Sequence, residues 1–164
     1  MQGKSGAKIL DENKERLLYN GIMAYSHKPY RLISHTADLG MEVRGKDLTD
    51  LFIQAAWSFF DIMVEARRIE PTKQKAVTVE APDQEALLVG WLGELLYIFE
   101  TEHLVFSQFL IRSLTPRALQ ASAIGEEYDP QKHLFKLGIK AVTYHQLCIW
   151  EEKGGWRARV IFDL

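Results

Sequence analysis

The sequence predicts an α+β domain in which antiparallel β-sheets pack with two long amphipathic helices. Three observations carry this expectation. Two stretches repeat apolar residues at helical spacing, and four later stretches read as strands bounded by turn residues. No parallel βαβ alternation, glycine-rich phosphate loop or internal repeat interrupts them. At 164 residues a single domain is expected, and a 47% hydrophobic share suffices for a buried core.

The elements follow in chain order. Met1 to Lys8 is small and polar, and Asp11 to Tyr19 offers a short helix with only a thin apolar stripe. The domain pattern starts near Tyr30, with Met23 a second candidate start. The chain therefore divides into an accessory tail over residues 1–28, partly disordered or a short helix, and a domain over 29–164. Tyr30 to Ile33 and Leu39 to Val43 read as short strands, joined by a loop carrying His35, Thr36, Ala37 and Asp38.

Leu48, Leu51, Phe52, Ala55, Ala56, Phe59, Phe60 and Met63 trace one face of a helix over about 48 to 65. Asp47 is its natural N-cap, and Asp50 places negative charge where the helix dipole favours it. Lys75 to Ala81 alternates as a half-buried strand does. Pro82 and Asp83 then punctuate, and Asp83 caps a second helix. Its face is Leu87, Leu88, Trp91, Leu92, Leu95, Leu96 and Phe99. Gly90 and Gly93 lie inside it at a cost of about 1 kcal/mol each against Ala. Their spacing suits close approach by another element, or simple tolerance. Leu104 to Leu114, Arg117 to Gly125, Tyr144 to Glu151 and Trp156 to Asp163 complete the strands, and Glu152-Lys153-Gly154-Gly155 turns the last hairpin.

Composition excludes several classes. Residues 1–28 hold five Lys/Arg and three Asp/Glu, leaving fifteen and nineteen beyond, a net charge of −4 for the body. That balance argues against strong direct nucleic-acid binding, which needs Lys and Arg to neutralise phosphates. Cys148 is the only cysteine, so neither an internal disulfide nor a cysteine-based zinc site can form. Within Leu147-Cys148-Ile149-Trp150 it reads as a small buried hydrophobe rather than a reactive thiol. No apolar run approaches the roughly 20 residues of a membrane span, and no signal-peptide core is present, so a cytoplasmic location is expected.

One constellation suggests chemistry. Strand alternation sends Trp156, Ala158, Val160 and Phe162 to one face and Arg157, Arg159, Ile161 and Asp163 to the other. Asp163 and the α-carboxylate of Leu164 then lie one residue apart. If the loop carrying Asp38 reaches them, three anionic groups converge, and such a cluster calls for a cation. An all-oxygen donor set favours Ca²⁺ or Mg²⁺ over zinc; Ca²⁺ tolerates irregular geometry best, while Mg²⁺ or Mn²⁺ could serve in a cell. The plainer alternatives are a solvated Asp163 or its pairing with Arg157 or Arg159, and a local turn hydrogen bond for Asp38. His35, a lone histidine, reads more readily as a structural hydrogen-bonder than as a metal ligand. Lys140-Ala141-Val142-Thr143-Tyr144-His145 sets a cation, a hydroxyl and an imidazole ahead of an apolar run, either a phosphate-contacting strand entrance or only a polar strand start. No catalytic Ser/His/Asp order stands out.

Five ordered blocks carry a resemblance. His35-Thr36-Ala37-Asp38, Leu51 to Ala56, Leu87 to Leu92 followed by Glu94-Leu95-Leu96, Lys140 to His145, and the closing Asp163-Leu164 together resemble the archease family over roughly residues 29–164. The two helical glycines depart from its pattern. The resemblance implies an α+β protein that is not itself an enzyme. It implies a protein activator of the RNA-splicing ligase RtcB, promoting guanylylation and multiple turnover in tRNA splicing and RNA repair. It also implies a metal ion held by Asp38, Asp163 and Leu164, with Lys140 a functional position. Lys140 and His35 are the candidates for contact with a partner or a phosphate. Two other readings stay open: a chaperone-like adaptor for tRNA-modifying enzymes such as methyltransferases, and a stand-alone metal-dependent phosphoester hydrolase.

Overall fold

A computed structural model describes residues 28–34 and 38–164. The expectations for residues 1–27, and for His35, Thr36 and Ala37, lie outside the described residues. The elements run β1 (Tyr30–Ser34), β2 (Asp38–Gly45), α1 (Leu48–Met63), a 3-10 turn (Ala66–Arg68), β3 (Lys73–Glu80), α2 (Gln84–Glu102), β4 (Leu104–Leu114), β5 (Ala118–Glu127), β6 (Ala141–Glu152) and β7 (Gly155–Asp163). They form the expected α+β arrangement, with a four-stranded sheet ordered β1-β2-β7-β6 and a three-stranded sheet ordered β3-β5-β4. Every strand pair is antiparallel.

Helix α1 starts where its cap dictates, the Asp47 carboxylate accepting from the Asp50 N–H at 2.8 Å. Its apolar stripe is buried as expected, but Gln54, Ser58 and Asp61 on other faces are buried too. The cause is position: α1 packs on β2 and β7 of one sheet and on β4 of the other. It ends two residues before the expected 65, because Glu65 turns into the left-handed region at φ 67°. Phe59 meets Phe162 of β7 at 5.7 Å between ring centroids, and Phe60 meets Phe106 of β4 at 5.6 Å. The two sheets thereby share one core.

Asp83 caps α2 by accepting from the Ala86 N–H at 2.8 Å. Trp91, fully buried, donates its indole N–H to the Phe52 carbonyl at 3.1 Å and ties the two helices. The glycines separate. A Cβ on Gly90 would sit 2.8 Å from Val79 Cγ1 of β3, whereas one on Gly93 would meet nothing within 4 Å. Only Gly90 answers to close approach.

Three readings need correction. Asp38 is the first residue of β2 rather than part of a loop, because its pairing across to β7 extends the ladder. Strand β6 starts at Ala141, not Tyr144, and holds a bulge: Thr143 pairs with Ile161 and Cys148 with Arg159, so four residues face one. Gln146 in that bulge takes φ 50°. Cys148 is half-buried beside Arg159 on the sheet's outer face, not a core residue, because the bulge resets the alternation of β6.

Asp61 anchors the start of β1 to the helix. It pairs with Lys28 at 2.9 Å and accepts from the Tyr30 hydroxyl at 2.8 Å and the Ala66 N–H at 3.2 Å. Burial pushes its carboxyl up, but the hydrogen bonds from Lys28 and Tyr30 outweigh this and hold it below its ordinary 3.8. Burial and the same bond raise the Tyr30 phenol to about 12. A carboxyl depressed in the folded state contributes stability that is present above 3.8 and is lost as pH falls through its folded value. Asp61→Asn should therefore lower stability at neutral pH by roughly 1–3 kcal/mol. Thermal melts at descending pH should converge with those of the parent chain in acid.

Candidate metal centre

The end of the four-stranded sheet is built by register. Asp38 opens β2 and Asp163 closes β7, and their Cα atoms are direct partners across the ladder. Directly opposed residues in an antiparallel pair share a face, with Cα atoms about 4.5–5.5 Å apart. Ala158, Val160 and Phe162 are fully buried, so the odd residues of β7, Asp163 among them, face away from the core as expected. Ala141 of β6 flanks Asp163 on its other side, and the Lys140 N–H donates to the Asp163 carbonyl at 2.8 Å. Lys140, exposed, thus stands beside the acid pair. The Thr143 hydroxyl donates to the Ile161 carbonyl at 2.9 Å and pins β6 to β7 just behind the tip. Leu164 follows Asp163, half-buried, with its side chain against the core.

The alternative partners for Asp163 are occupied elsewhere. Arg157 pairs with Glu152 at 2.8 Å, and Arg159 with Glu42 at 3.3 Å. Among the described residues neither Asp38 nor Asp163 has an ion-pair partner. Like charges directly opposed across a ladder are unfavourable by about 0.2–1 kcal/mol. A divalent cation would reverse that sign. The donors fit a hard ion, being carboxylate oxygens on a half-exposed edge with room for water or a partner to complete the coordination. Among the described residues no three His, Cys, Asp or Glu side chains form a metal-binding group; the tip offers two. His35 lies outside the described residues.

The sequence reading passed over two polar clusters. On the outer face, Glu42 is only 5% exposed and accepts from Arg31 and Arg159. Burial raises its carboxyl, yet the two guanidinium groups hold it below the ordinary range. Elsewhere, buried His133 accepts the Asp129 N–H at Nδ1 (2.9 Å), which leaves Nε2 as the N–H donor to Glu126 (2.9 Å). It stacks on Tyr128 and folds the segment leading to Lys140 onto the core. Arg–Glu alternation on paired strands was the legible signal for the first cluster; nothing local announces the second.

Comparison with known proteins agrees with this architecture. The model of the Archease protein family matches residues 30–164. The archease of Methanosarcina mazei is 36% identical over 141 residues, covering 84% of this chain and 97% of that protein. The archease of Thermococcus gammatolerans is 40% identical, covering 79% and 94%. In structure, protein 1598 of Methanobacterium thermoautotrophicum superposes with a TM-score of 0.73 at 35% identity, covering 84% of this chain and all of that one. A Thermotoga maritima archease, described as a possible chaperone, shares the fold at 20% identity and a TM-score of 0.56, covering 84% and 99%. The fold and the sheet-end acid pair define a small α+β protein of two sheets clamped on a helix. The chain belongs to the archease family.

The acid pair yields a test with a sign. Without divalent ions, Asp38→Asn should raise stability by up to about 1 kcal/mol by removing the like-charge opposition. With Ca²⁺ added, the parent chain should gain thermal stability by mass action and the variant should gain little. Melts with and without chelator measure both.

Proposed function

We propose that this chain is an activating partner of an RtcB-type RNA ligase, promoting its guanylylation and repeated turnover, rather than an enzyme in its own right. The observation that carries this reading is the in-register opposition of Asp38 and Asp163 beside Lys140 at one exposed sheet end. That trio coincides with the positions implied by the family resemblance, with Leu164 completing the oxygen donors. A divalent cation bound there would supply positive charge able to engage a phosphate oxygen. The carboxylates hold two oxygen-bearing groups on one face without needing a loop to close. Lys140 offers a mobile point charge for a phosphate or an acidic group of the partner. Among the described residues no helix is long and apolar enough to cross a membrane.

The decisive assay uses the purified ligase from the same source with its nucleotide and Mn²⁺. Asp38→Ala and Asp163→Ala should each abolish stimulation of guanylylation while circular dichroism shows the fold retained. Lys140→Ala should weaken stimulation but leave Ca²⁺ stabilisation intact. Full stimulation by both aspartate variants would overturn the proposal. Chelator-sensitive phosphoester turnover by the chain alone would instead favour a hydrolase. Selective co-purification with a tRNA methyltransferase would favour the adaptor reading.

A further inference from the structure

The outer face of the four-stranded sheet changes sign along its length. From the Asp38–Asp163 end the opposed pairs run Gly40–Ile161, Glu42–Arg159 and Arg44–Arg157. The last pair is a second like-charge opposition, this time cationic, six residues along β2 and so about 20 Å from the acid pair. A cavity of about 270 Å³ opens there, lined by Pro29, Tyr30, Arg31, Glu42, Arg44 and Arg157. Three arginines and one glutamate thus line it, with Glu152 paired to Arg157 just outside the lining.

The existing contacts leave positive charge unspent. Glu42 is shared between Arg31 and Arg159, and Glu152 takes Arg157 at Nε. Arg44 is exposed and has no ion-pair partner among the described residues. Arg159 Nε, one row away, is buried without an acceptor among the described residues. In a chain of net charge −2, this local excess runs against the overall balance.

We propose that this cavity binds a single phosphate group, as the free anion or at the end of an RNA strand. Counting Arg159 and Glu152 with the lining, four arginines face two glutamates, a formal excess of two positive charges that matches a phosphate monoester of about −1.5 to −2 at neutral pH. A carboxylate would leave one charge unmatched. Arginine forks give the bidentate geometry that phosphate oxygens accept. At about 270 Å³ the cavity holds a phosphate with room for water or an attached sugar, but not a tracked strand backbone, in line with the chain's net charge of −2. It lies apart from the acid pair, and only its RNA arm rests on the role proposed there.

The test needs neither ligase nor metal. In chelator and low salt, calorimetric and NMR titrations would use inorganic phosphate, acetate, and a short RNA with and without a terminal phosphate. Phosphate should bind with one site, and Arg44→Ala and Arg157→Ala should each weaken it about tenfold. Arg44→Ala should keep or slightly raise the parent melting temperature, because it removes a like-charge opposition. Tighter binding of the terminally phosphorylated RNA identifies the strand end as the source, and equal affinity for inorganic phosphate identifies the free anion. Acetate binding as well as phosphate, indifference to both substitutions, or equal binding of both RNAs without competition by phosphate would each overturn the proposal.

Discussion

The antiparallel pairing of β2 with β7 is the constraint from which the rest follows. It joins residues near the front of the domain to its final strand, eight matched positions from Asp38–Asp163 to Gly45–Trp156. Its register is fixed by burial. Met41 and Val43 on one strand and Ala158, Val160 and Phe162 on the other must all face α1. A slip of one residue would expose that whole apolar set. Register is thus set by the hydrophobic core, while its consequences appear on the opposite face. There it opposes aspartate to aspartate at one end and arginine to arginine at the other, each an arrangement that local energetics would avoid.

Between those ends Glu42 explains how so many guanidinium groups tolerate one surface. Its nearly buried carboxylate sits between Arg31 and Arg159, which lie over it and exclude water. Removing one guanidinium would leave a desolvated anion with half its compensation, a costlier change than loss of an exposed ion pair. Asp61 does comparable work on the inner side, where Lys28 and Tyr30 fasten the start of β1 to a helix otherwise enclosed by apolar side chains.

Much of this was legible from the residues. Both helices announce themselves through 3.6-residue periodicity and aspartate caps, and both caps form the expected bonds. The alternation of β7 assigned Phe162 inward and Asp163 outward, and the structure agrees. What escaped depends on partners distant in sequence. Asp38 belongs to a strand only because Asp163 extends its ladder, and nothing between Ile33 and Leu39 encodes that. The bulge in β6 centres on a non-glycine residue, Gln146, in left-handed backbone, so no turn signal marks it, and Cys148, expected as a buried hydrophobe, stands half-buried beside Arg159. Likewise, Gly90 and Gly93 look equivalent in the chain, yet only the first lies under Val79. The burial of Gln54, Ser58 and Asp61 follows from a second sheet covering α1, which periodicity within one helix cannot reveal.

That enclosure of α1 has a mechanical consequence. Side chains of a single helix fill the space between both sheets, and close-packed interiors transmit displacement instead of absorbing it. Neither sheet can slide or tilt alone without forcing Phe59 and Phe60 out of their aromatic contacts. The two sheets and the helix between them form one stiff body, so the yielding in any encounter falls to the other partner.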